Sequence, residues 1–217
     1  MNLALFIILA SSCFTLTVLN GFYQNREKVS GVIFCIVTPL AFFTFALLSG
    51  HLSSVYNALY MSVCLAIAFY LSTEACSSKT KEGVILSSIF RVASLVMLVL
   101  GSISLAPFTI FGLLGGFMLG AGFGFTVFIA CKNQTLFKKC VYFIELLMGG
   151  ALFGCSISSV ALSTHLLASI LYLVGASLIF IRYILRTYFE HSGVFRVITR
   201  ILFGIAMICI ISSIFFY

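Results

Sequence analysis

The sequence predicts an all-α fold, a polytopic integral membrane bundle of eight transmembrane helices forming one domain over residues 1–217. Three observations predict it: the composition, the length of the apolar runs and the placement of the basic residues. Of the 217 residues 62% are hydrophobic and only 8% charged, with a mean hydropathy of +1.25, whereas a soluble domain carries about 25% charge. Lipid is therefore the solvent, and in lipid only helices and closed barrels satisfy every backbone polar group. Barrel strands alternate polar and apolar residues over about ten positions, while the runs here stay apolar for about twenty, the length that crosses the hydrocarbon core as a helix.

On that rule helices fall near 2 to 19, 31 to 49, 55 to 73, 84 to 104, 108 to 130, 140 to 161, 167 to 185 and 196 to 217. The first run has no basic n-region and no small-residue cleavage site, so it reads as a span rather than a cleaved leader. The second carries Thr38 and Pro39, and Pro107 precedes the fifth. The fifth holds Gly112, Gly115, Gly116, Gly120, Gly122 and Gly124, and the sixth repeats the spacing with Gly150 and Gly154. Small residues four apart let two helix backbones approach closely, either within the chain or between subunits of a homo-oligomer.

Charge gives the topology. Arg26, Lys28, Lys79, Lys81, Arg91, Lys132, Lys138, Lys139, Arg182, Arg186, Arg196 and Arg200 all lie in or beside the first, third, fifth and seventh connections. The connections around His51, Pro107 and His165 carry none. The positive-inside rule then puts the odd connections in the cytoplasm and both termini on the far side. A net charge of +7 distributed in this way is a topology signal and excludes a nucleic-acid-binding face as its explanation.

Other chemistries are excluded in turn. The glycine run follows no strand and lacks the lysine of a P-loop. No serine sits in a GxSxG elbow, and no late helix carries the central lysine that retinal requires. Eight cysteines at 13, 35, 64, 76, 131, 140, 155 and 209 lie in or at the ends of apolar runs without CxxC spacing, as small buried hydrophobes do. His51 and His165 have no nearby carboxylate to complete a metal site, so neither a metal nor a cofactor is expected.

Ionisable residues at membrane depth are the functional candidates. Arg91, Glu145 and Arg200 each lie about one to two turns inside a predicted span. Glu74 ends the third span, and Arg182 and Tyr183 stand near the end of the seventh. All six belong to the cytoplasmic half. They line one polar cavity, or else Arg91 and Glu145 form a structural ion pair while Arg182 and Arg200 snorkel to the headgroups.

The run Val174-Gly175-Ala176-Ser177-Leu178-Ile179-Phe180-Ile181, followed by a basic connection and a last helix ending near Phe216, resembles the YhhN-like lysoplasmalogenase family. Thr38-Pro39-Leu40 resembles that family's Lys-Pro-Leu, and segment 61 to 91 has the spacing of its next motif. The resemblance implies a compact eight-helix membrane protein that cleaves the vinyl ether of lysoplasmalogens, with two aspartates as acid and base. This chain has no aspartate. The family's first aspartate falls at Tyr70 or Glu74 and its second at Tyr183, while its lysine becomes Thr38. The resemblance thus implies a divergent member in which hydrolysis is changed or lost. Glu74, Glu145 and Tyr183 are its catalytic candidates, and Arg91, Arg182 and Arg200 hold the phosphate of a single-chain phospholipid drawn from the surrounding membrane lipids. A transporter or channel subunit that binds a small solute, and a noncatalytic bundle that works by association, are the alternatives.

Overall fold

Hydrocarbon offers the backbone no hydrogen-bond partner, so each apolar run must bond to itself. The computed structural model describes residues 2–23, 29–50, 58–75, 81–106, 110–131, 134–189 and 192–217. Among these the chain forms eight α-helices: α1 (Leu3–Tyr23), α2 (Val29–Ser49), α3 (Ala58–Ala75), α4 (Lys81–Ser104), α5 (Ile110–Ala130), α6 (Leu136–Leu162), α7 (Leu166–Phe189) and α8 (Gly193–Phe216). Seven are long and apolar enough to cross a membrane, and the apolar part of α3, Ala58–Glu74, is somewhat shorter. The chain is a multi-pass membrane bundle. Arg26, Lys28, His51, Cys76, Lys79, Pro107 and Lys132 lie outside the described residues.

The helices depart from the predicted runs in one consistent way. At the end of the bundle where the basic residues gather, α1, α3 and α7 finish later and α2, α4, α6 and α8 start earlier than hydropathy alone indicates. Each extension is roughly half a turn to a turn. The boundaries at the opposite end, and that of α5 at Ala130, stay near the predicted ones or fall short of them. Hydropathy marks the hydrocarbon, whereas a helix keeps its ladder of hydrogen bonds into the headgroup layer. Thr135 caps the early start of α6, its Oγ1 accepting from Lys138 N at 3.5 Å.

The helices close into a ring. α1 meets α2, α2 meets α3, α3 meets α4, α4 meets α6, α6 meets α7, α7 meets α8, and α8 returns to α1. α8 also reaches across to α2 and α3, and it carries Phe203, Ala206, Met207, Ile210 and Ile211 into the core. α5 lies outside the ring, against α6 and α7, so α4 and α6 become direct neighbours although α5 separates them in sequence. This single displacement brings the fourth and sixth helices' charges together.

Glycine fixes the α5–α6 contact. A Cβ added to Gly150 would stand 2.7 Å from the Gly120 Cα, one on Gly154 2.7 Å from the Gly116 Cα, and one on Gly120 2.8 Å from the Leu147 Cα. The two backbones touch where those side chains would be. Gly115 and Gly122, by contrast, have nothing within 4 Å of an added Cβ and face outward beside the exposed Met118 and Phe125. The spacing that also predicts an oligomer face is thus occupied within the chain along Gly112, Gly116, Gly120, Gly150 and Gly154.

Pro39 is accommodated inside α2 without ending it. Its neighbour Thr38 is buried, and its hydroxyl donates to the Leu16 carbonyl at 3.4 Å, joining α2 to α1. Most other buried hydroxyls donate to their own helix one turn back, as Ser49 does to Phe45 at 2.7 Å and Thr187 to Tyr183 at 2.8 Å. A polar side chain satisfied in this way needs no partner helix.

Candidate functional site

The ring geometry turns charges scattered through the sequence into one cluster. Glu145 lies on α6 and is 0% exposed. Its Oε1 accepts from Arg91 Nη1 of α4 at 2.7 Å, and Arg186 Nη1 of α7 donates to Oε1 at 3.4 Å and Oε2 at 3.3 Å. Arg91 Nη2 also donates to the Ser87 hydroxyl at 3.1 Å, one turn earlier on α4. One carboxylate therefore ties three helices together, and both of its oxygens are engaged by guanidinium. The Arg186 guanidinium carbon stands 5.8 Å from the centre of the Tyr142 ring.

Arg182 is one turn before Arg186 on α7, but its surroundings differ. It is 8% exposed, and its guanidinium carbon lies 4.1 Å from the centre of the Phe203 ring of α8 and 5.4 Å from that of Tyr183. Its Nε and Nη1 are buried and have no hydrogen-bond partner among the described residues. Phe203 is held in turn by Tyr70 of α3, the ring centres 4.3 Å apart. Tyr70 interacts electrostatically with Glu74, Arg182 and Arg200, and Arg200 of α8 with Glu74, Tyr70, Cys35 and Arg182. Tyr183 is buried beside Arg182, Glu145, Arg91 and Arg186.

The six residues singled out from sequence depth, Glu74, Arg91, Glu145, Arg182, Tyr183 and Arg200, thus share one neighbourhood drawn from five helices. Arg182 is enclosed by aromatic rings and does not snorkel. Arg91 and Glu145 do form an ion pair, but as part of the larger cluster. Arg186 belongs to the cluster as well, although its sequence position reads only as a topology signal. The i, i+4 spacing from Arg182 places both on one face of α7 and is the sequence feature that betrays it. Phe203 carries no such signal, because an aromatic in an apolar helix reads as core. Among the described residues the cluster holds four guanidiniums, of Arg91, Arg182, Arg186 and Arg200, and two carboxylates, of Glu74 and Glu145.

His165 sits at the opposite end of the bundle against Tyr217, ring centres 4.5 Å apart. Among the described residues no three His, Cys, Asp or Glu side chains gather in a way that would hold a metal ion.

Fold and site together define a class: a multi-pass α-helical membrane protein with a buried, arginine-rich polar cluster inside a ring of helices. Comparison with models of known families, with curated proteins and with solved structures finds no match to this chain.

Proposed function

We propose that this protein takes the anionic headgroup of a single-chain phospholipid into the polar cluster, with the acyl chain left among the apolar helices. The observation that supports it most is the charge balance among the described residues: four arginines against two glutamates, with two nitrogens of the buried Arg182 guanidinium, Nε and Nη1, lacking an acceptor there. Isolated charges at the centre of a bilayer each cost about 2.5–3.5 kcal/mol on insertion scales, and an anionic ligand offsets the excess of positive charge among the described residues. Guanidinium is also the side chain best matched to phosphate oxygens.

Vinyl ether hydrolysis, the chemistry that the family resemblance implies, would fall to Glu74 and Tyr183, since the Glu145 carboxylate is engaged by two arginines. The purified protein, offered single-chain phospholipids and a phosphate-free single-chain amphiphile in native mass spectrometry, should retain the phospholipids selectively. Offered lysoplasmalogen, it should release aldehyde in a manner abolished by Glu74→Gln. Equal retention of the phosphate-free amphiphile would refute the headgroup reading, and bound lysoplasmalogen without aldehyde would limit the function to binding.

The orientation belongs to the same proposal. With the cluster at the cytoplasmic end, reporters fused after Gln24, Ser78, Asn133 and Ser192 should read cytoplasmic and those at Gly50, Ser104 and His165 external. A robustly external signal at Asn133 would overturn it.

A further inference from the structure

The four arginines of the cluster are not equivalent. Arg91 is committed to Glu145 and Ser87, and Arg186 to Glu145. The Arg182 guanidinium carbon lies over the Phe203 ring, 4.1 Å from its centre, and 5.4 Å from the centre of the Tyr183 ring. A cation over an aromatic face is stabilised without using its N–H groups. Two nitrogens of this one, Nε and Nη1, are buried and unpartnered among the described residues. A buried charge left without an acceptor is among the costliest arrangements in a protein interior. The aromatic contact stabilises the Arg182 cation without supplying an acceptor for its N–H groups.

We infer that Arg182, supported by Phe203, is the seat of a bound phosphate oxyanion, and that Arg91, Glu145 and Arg186 form a fixed frame beside it. The inference rests on the headgroup reading above and narrows it to one side chain. Phosphate fits the site because it is anionic and accepts several charge-assisted hydrogen bonds at once, as the unpartnered Nε and Nη1 of Arg182 require. Glu74 offsets part of the Arg200 charge, and Nε and Nη1 of Arg182 have no acceptor among the described residues. A lipid headgroup and free phosphate share this chemistry.

Thermal unfolding of the purified full chain in an uncharged detergent separates these cases. The probes are lysophosphatidic acid, inorganic phosphate and a phosphate-free monoacylglycerol. At about a hundredfold excess over Kd, lysophosphatidic acid should raise the wild-type midpoint by roughly 5–10 °C, with no shift from monoacylglycerol. In Arg182→Met that shift should vanish, while the midpoint without ligand equals or exceeds wild type, because an unpaired buried cation has been removed. A purely structural arginine would give the reverse, a lower midpoint with the shift retained.

A full shift from inorganic phosphate alone would keep the Arg182 site and overturn the headgroup reading. An equal shift in wild type and Arg182→Met would overturn the site and leave the headgroup reading standing. No shift in wild type with any phosphate probe would overturn both. Failure of both Arg182→Met and Arg182→Lys to fold would show that the guanidinium is structural, and would overturn the assignment.

Discussion

Glu145→Gln should lower the stability of the bundle by about 3–5 kcal/mol, the usual penalty for removing one partner of a buried ion pair. The variant keeps the side-chain volume but leaves Arg91 and Arg186 facing an amide, and three helices lose their common anchor. For a chain of this size that corresponds to a fall of roughly 10 °C in unfolding midpoint. Arg186→Met should cost less, because its contacts are longer, at 3.3–3.4 Å, and its side chain is 26% exposed. Adding Arg91→Met to Glu145→Gln should recover part of the loss, since the double variant no longer buries that unpaired cation. Unchanged thermal stability of Glu145→Gln in detergent would mean that the ion pairs are solvated and that the cluster is not a frame.

Gly116→Leu carries the other large effect. The Gly154 Cβ position already falls 2.7 Å from the Gly116 Cα, so a side chain at Gly116 meets the backbone of α6. Backbone cannot rotate out of the way as a side chain can, which puts the cost at the upper end for overpacking, about 3 kcal/mol. Gly115→Leu, one residue earlier, enters open space and should stay within about 0.5 kcal/mol of wild type. Differential scanning of the two variants side by side decides the matter. If both are equally stable, the α5–α6 contact is not set by its glycines.

The contrast between Gly115 and Gly116 marks what the sequence reveals and what it withholds. The glycine spacing is visible as a pattern, but which glycines face α6 depends on where α5 sits, and hydropathy carries no information about neighbours. The eight helices were legible because an apolar run of spanning length has few alternatives in lipid. Their extensions at the basic end were not, because Lys138, Arg186 and Arg196 lie in a layer where helix continues after hydropathy has fallen.

The site was legible to the extent that charge at membrane depth is rare. Glu74, Arg91, Glu145, Tyr183 and Arg200 stood out by position, and the bundle gathers them. Their pairing was not legible, since the Arg91–Glu145 contact exists only because α5 steps out of the ring and lets α4 touch α6. Arg186 was hidden by a competing explanation: a basic residue at the end of a helix already reads as a topology signal. Phe203 was hidden by its ordinariness, and only the 4.1 Å approach of Arg182 reveals its part.

The bound phosphate itself is the most direct observable. Dipolar coupling between 31P of a single-chain phospholipid and 15N of arginine side chains, recorded on the protein in lipid, reports whether a guanidinium and a phosphate are within hydrogen-bonding reach. A phosphate on Arg182 gives a 31P resonance strongly dephased by guanidinium nitrogen in the wild type and largely restored in Arg182→Met. A 31P resonance untouched by arginine nitrogen, or one equally dephased in both proteins, contradicts it.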